Sequence, residues 1–261
     1  MQVTRAELIK NDPIGKWWVS GSASLNEVQQ KTSFLDEVNS TCADSGLLEL
    51  ARVQRMNTAI RRAIFVTMMS SEDYIDAFTK LLKLKLKAKQ EREIVKVLVE
   101  CCMNEQTFNP FYAHLASKLC QLSSNWKYTF QYTFWDHFKE LSSFFVSVKA
   151  NLAKLLAFLL VDSSLSLSIL KVFSFVELDC HTLLFLCVLF KKVLLPTEPS
   201  TIQLIFRRIA RNNDLFNLRE GLTFFFQKTL LKSAKDSEEK ELLKKKVNLA
   251  KEALREPVFS F

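Results

Sequence analysis

The chain has 261 residues, and 48% of them are hydrophobic, enough to bury a substantial core and to exclude a globally disordered chain. Four glycines and five prolines are too few for the tight turns of a β-sandwich or barrel, which points to long helices with few connections. The net charge of +8 suits a partner rich in phosphate or carboxylate, although lysines that only solvate helix faces would give the same balance.

Residues 1–46 hold three of the four glycines and a Ser/Asn/Thr-rich stretch, with poor periodicity. They read as a linker with one local anchor at Trp17-Trp18, since adjacent tryptophans rarely stay exposed. From Leu47 a helical period takes over, and Leu50, Val53, Ile60, Ile64 and Met68 are expected on one broad face. Ser70-Ser71 stops it, with Ser70 and Asp73 spaced as a capping box. Next come a helix burying Tyr74, Phe78, Leu81 and Leu82, and one marked by Ile94, Leu98 and Cys101. Asn109-Pro110 is a start signal for the helix whose stripe is Phe111, Leu115, Leu119 and Leu122. The aromatic run Tyr128–Phe138 resembles a base-stacking platform, but its helical spacing assigns it to the core. Leu152–Leu159 and Leu178–Leu195 mark further apolar helices, separated by a short element at Leu165–Phe173 and ended by Pro196. Ile202–Ile209 and Leu218–Phe226 follow, then a strongly charged helix near Asp236–Arg255 with thin apolar positions, expected to pack loosely. Helix starts fall roughly 20 residues apart, so a pair occupies about 40, the pitch of HEAT-like repeats. The expected fold is all-α, a HEAT-like superhelix of antiparallel helix pairs.

No phosphate-binding glycine loop, nucleophile elbow or HExxH motif occurs. His114, His137 and His181 have no nucleophile and orienting group beside them in sequence, and read as core or surface histidines. The six cysteines form no CxxC pair. The spacing of Cys180, His181 and Cys187 matches no usual zinc pattern. No metal, cofactor or small-molecule substrate is therefore expected, nor a membrane span, because Lys191 and Lys192 interrupt the most apolar stretch. The strongest charge feature is residues 80–96, where seven cations oppose Glu91 and Glu93 and carry five of the eight net charges. Lys83, Lys85, Lys87, Lys89 and Arg92 form a basic corner between two helices. It suits RNA phosphate or an acidic protein face, or else is a solvated helix end. A second basic spot is Arg207, Arg208 and Arg211.

Several segments together resemble an MI (MA-3) domain: Phe65–Phe78, Lys80–Leu84, Arg92–Cys102, Phe108–Cys120, Leu165–Lys171 and Phe175–Asp179. Their order is most similar to the nucleolar MI-domain proteins of small-ribosomal-subunit assembly, which carry an initiation factor 4G-type middle domain before the MI domain. Gly15–Ser22 resembles the segment just after that middle domain. On this resemblance, residues 1–46 are the linker that follows it and 47–176 the MI domain. Residues 177–232 are a helical continuation, and 233–261 a charged helix and tail. The resemblance implies a non-catalytic scaffold in the nucleus and nucleolus, acting in pre-ribosomal RNA processing. Its partners would be pre-ribosomal particle proteins and RNA, and a DEAD-box RNA helicase related to initiation factor 4A, contacted mainly through the middle domain. The same domain plan also occurs in splicing-related proteins, and MI domains also regulate the translation initiation helicase. Those that clamp that helicase use acidic residues in a connector, whereas the matching Ser142–Lys149 has no carboxylate.

Overall fold

A computed structural model describes residues 45–54, 56–175, 177–233 and 237–255. Among these residues every regular element is helical, as the low glycine and proline content requires: α1 Ser45–Val53, α2 Ala59–Met69, α3 Tyr74–Lys83, α4 Ala88–Asn104, α5 Pro110–Leu122, α6 Ser124–Lys139, α7 Val146–Val161, α8 Cys180–Leu194, α9 Pro199–Ala210, α10 Phe216–Lys228 and α11 Ser237–Arg255. Short 3-10 turns at Leu141–Ser143, Leu167–Val172, Asn213–Leu215 and Leu230–Ser233 fill the connections. The helices pack in pairs, α2 on α4, α3 on α5, α4 on α6, α7 on α8 and α9 on α11, and give the expected all-α, HEAT-like array.

Helix α7 lies at the centre, against α4, α5, α8 and α9. It is apolar on all sides, and Leu152, Ala153, Leu155, Leu156, Leu159 and Leu160 are buried, which is what a helix surrounded by others needs. Two polar side chains go under with it. Asn151 donates to the carbonyl of Glu105 at 2.7 Å. Lys149, only 2% exposed, sits 3.0 Å from His181 Nδ1. An ammonium has only protons to give, so this ring nitrogen accepts, and the start of α7 is tied to the first turn of α8. Beyond α7 the phenylalanines form the core: Phe190, Phe206, Phe225 and Phe226 are fully buried and meet edge-on or tilted. Helix α10 approaches the preceding connector so closely that a Cβ on Gly221 would fall 2.7 Å from Phe175.

The helix starts follow local chemistry. Asn109 accepts from the Phe111 N–H at 3.0 Å, with Pro110 at the first helical position as its signal implies. Thr58 caps α2 and Asp179 caps α8.

Five expectations differ from the structure. The period starting at Leu47 is two helices rather than one, so Leu50 and Val53 are exposed, and Ala51 and Met56 enter the core instead. Asp73, not Ser70, caps α3, accepting from the N–H groups of Ile75 and Asp76. Leu82 and Leu122 sit at the exposed edges of their stripes. The charged C-terminal helix is firmly packed: Leu243, Val247, Ala250 and Leu254 make one buried stripe against α9. Lys246 Nζ adds bonds to the carbonyls of Leu195 and Thr197 at 2.6 and 2.8 Å, and Lys191 bridges to Glu239 at 3.1 Å. One hydrophobic core thus extends from Ala51 to Leu254. Finally, the aromatic run of α6 divides between core and surface, as described below. The Trp17-Trp18 anchor and Asp236 lie outside the described residues.

Candidate functional site

The basic corner is the turn from α3 to α4. Lys83 ends α3, Leu84 tucks its side chain into the core, and Lys85 turns the chain with φ of 45°. That left-handed conformation favours glycine and costs a lysine roughly 1 kcal/mol. Lys87 stands at the start of α4, and its N–H donates to Gln90 Oε1 at 3.0 Å. A lysine side chain has no acceptor with which to return the cap. Lys83, Lys85, Lys87, Lys89 and Arg92 are all exposed, and among the described residues none of them makes an ion pair.

The flanking cations differ. Lys80 is held by Asp76 at 2.6 Å, and this hydrogen bond keeps the Asp76 carboxyl below its ordinary range. Lys96 pairs with Glu93 at 3.0 Å, and Arg61 reaches Glu93 at 2.6 Å and Glu100 at 3.7 Å. Burial pushes the Glu93 carboxyl up, but the bonds from Arg61 and Lys96 outweigh it and leave Glu93 ionised at a lowered pKa. Burial dominates at Glu100 and raises it. These pairs tie α2 to α4 and leave the corner lysines available to solvent.

The second basic spot belongs elsewhere. Arg207, Arg208 and Arg211 are exposed at the C-terminal end of α9, and Arg208 donates to the carbonyl of Ser163 at 3.3 Å. Helix α9 packs on α11, α7 and α10, so the structure does not bring this cluster beside the α3–α4 corner.

A feature that sequence reasoning assigned wholly to the core lies next to the corner. On α6, Phe130, Phe134 and Phe138 are buried, whereas Tyr128 and Tyr132 are 59% and 61% exposed. They line a groove of about 680 Å³ between α4 and α6, together with Arg92 and Lys96. The signal was present in the spacing: the phenylalanines and the tyrosines each recur at i, i+4, in opposite phase.

The remaining candidates have structural roles. His114 stacks on Tyr74 at 5.2 Å and meets Phe158 edge-on. His137 packs near Phe144, and burial lowers its pKa despite Glu140 and Asp136. Burial pushes the Cys102 and Cys120 thiols up to about 12, which leaves them unreactive near neutral pH. Among the described residues no group of three or more His, Cys, Asp or Glu side chains could hold a metal. No described helix is long and apolar enough to cross a membrane. The connector at 142–149 exposes Phe145 and Val146, an apolar knob where an acidic contact would require carboxylates.

Residues 60–166 match the MA3 domain family. The chain is 44% identical over 262 residues to the human Nucleolar MIF4G domain-containing protein 1, covering 98% of this chain and 30% of that protein. It is 35% identical over 221 residues to Suppressor of glycerol defect protein 1 of Schizosaccharomyces pombe, covering 78% and 28%. The Pre-mRNA-splicing factor CWC22 homolog of Caenorhabditis elegans is 33% identical over 122 residues, covering 47% and 14%. The chain therefore spans less than a third of the length of each of these relatives.

Proposed function

From an MA3 domain in residues 60–166, we propose that this protein is a non-catalytic nucleolar scaffold of small-ribosomal-subunit biogenesis and pre-ribosomal RNA processing. The observation that carries the reading is the reach of the similarity. It extends over 98% of the chain, well past the MA3 match, to a relative whose name places it in the nucleolus. The physical picture agrees. A packed helical array presents broad side-chain surfaces to its partners. Its densest free charge is the Lys83–Lys89 corner, suited to the phosphates or acidic proteins of a pre-ribosomal particle. A DEAD-box helicase related to initiation factor 4A would join the same assembly, held mainly by a middle domain of the kind named in the relatives. The exposed Phe145 and the absence of carboxylates at 142–149 argue against an acidic clamp on that helicase by this module.

A second reading, participation in splicing, is favoured by the CWC22 similarity alone, which covers about half of the chain. One experiment separates them. The tagged protein is crosslinked in cells and its RNA sequenced. Enrichment of small-subunit precursor RNA supports the first reading. Enrichment of spliceosomal RNA replaces it with the second, and recovery with the initiation helicase in the cytoplasm makes the protein a translation regulator.

A further inference from the structure

We infer that the groove between α4 and α6 is a base-stacking subsite for single-stranded RNA, fed by the lysine corner. This deepens the proposed function and rests on reading that corner as a phosphate contact.

Two tyrosines stand in an unusual setting. Tyr128 and Tyr132 present most of their surface to solvent on a helix whose Trp126 and three phenylalanines are buried. Four residues apart, they stand about 6 Å from each other along one face. Tyr132 is not loose: its ring is braced edge-on by Trp135 at 5.5 Å, and Trp135 is fixed by its N–H bond to the Ile169 carbonyl at 2.8 Å. A rigid, half-exposed ring loses little entropy when a base stacks on it. Exposed Asn125 also lines the groove and offers an amide to base edges.

The charge pattern then decides between RNA and an acidic protein. Along α4 the cations run from exposed Lys89 and Arg92 to Lys96, half-buried and held by Glu93 at 3.0 Å, about 10 Å of helix that leads from the corner into the groove. Inside the groove, however, Glu91 and Asp136 also face the opening. Asp136 is paired with Lys139 at 3.1 Å, so Glu91 is the carboxylate left to repel an acidic peptide. It does not repel a neutral base, and a carboxylate accepts a hydrogen bond from the exocyclic amine of adenine or cytosine. Positive charge outside with an aromatic, locally neutral groove inside is the order in which a single strand presents its phosphates and bases.

The test uses the full chain and three probes: labelled oligoadenylate, an abasic oligonucleotide of the same length, and polyglutamate. Replacing both tyrosines, Tyr128→Ala with Tyr132→Ala, should weaken oligoadenylate binding roughly ten-fold or more and keep its salt slope. The abasic probe should bind this variant like the parent. Tyr128→Phe with Tyr132→Phe should restore binding, because the ring and not the hydroxyl carries the contact. Changing Lys83, Lys85, Lys87 and Lys89 to Glu should flatten the salt slope for both nucleic acid probes. Unchanged oligoadenylate binding by the alanine variant overturns the stacking subsite, whatever the lysine variant does. Loss with the alanine variant and none with the lysine variant keeps the groove and removes the corner as its phosphate contact. Parent protein that binds polyglutamate in preference to both nucleic acid probes overturns the inference in favour of an acidic protein partner.

Discussion

The C-terminal helix offers a direct test of how far the core extends. Leu243 is fully buried on α11 against α9, one residue from Leu242, which is 45% exposed. Truncating Leu243 to alanine removes buried methyl groups and leaves a cavity between two well-packed helices, a loss of about 2–5 kcal/mol. For a chain of this size each kcal/mol moves the melting midpoint by roughly 2–4 °C, so the shift should be about 5–20 °C. Leu242→Ala, with the same chemistry on the solvent side, should cost less than about 0.5 kcal/mol. Both are read by urea unfolding followed by far-ultraviolet circular dichroism, with the slope held in common. Equal, small effects at the two positions would mean that α11 is a loosely attached tail. A larger effect at Leu242 would mean that its buried face has been assigned the wrong phase.

Other perturbations probe the remaining elements. Lys85→Gly should stabilise the fold by up to about 1 kcal/mol, since it relieves the left-handed turn, while weakening RNA binding; a destabilised variant would show that the turn is not strained. Gly221→Ala gains about 1 kcal/mol of helix propensity but must displace Phe175, an overpacking cost of about 1–3 kcal/mol, so thermal melting should show a net loss of stability. His137 has a lowered pKa because burial disfavours its charged form. The unfolded chain then binds the extra proton first, so this stability is complete above the unfolded histidine pKa of about 6.5 and is lost as the pH falls through it. His137→Gln should remove part of the drop in melting temperature between neutral and mildly acidic pH; an unaltered pH profile would remove His137 from the account.

The fold was legible because its signals are local. Asn109-Pro110 marks the start of α5, and the stripe Phe111, Leu115 and Leu119 faces inward, the last two fully buried. What escaped depends on tertiary partners. On α11 the buried stripe includes Ala250 and Ala253, too small to register as core in a charged helix, and Lys246 acts as a clamp on carbonyls that sequence cannot place nearby. The join between α1 and α2 was hidden because Leu50, Val53 and Ile60 happen to keep a helical rhythm across the break. The lysine corner could be read from its charge density together with the helical periods on either side. The tyrosine groove could not, because its second wall is α4, some thirty residues earlier in the chain.

We propose that this module holds a pre-ribosomal particle through its basic corner. This contact is tested most directly by sedimenting cell extracts that carry either the parent chain or the variant with glutamate at Lys83, Lys85, Lys87 and Lys89. The four lysines are exposed, so the variant should fold, as circular dichroism can verify. The parent should travel with small-subunit precursor particles at low salt and leave them as salt rises, while the folded variant should remain at the top of the gradient. A folded variant that sediments with the particles like the parent would contradict the account, and the corner would then be a solvated helix end.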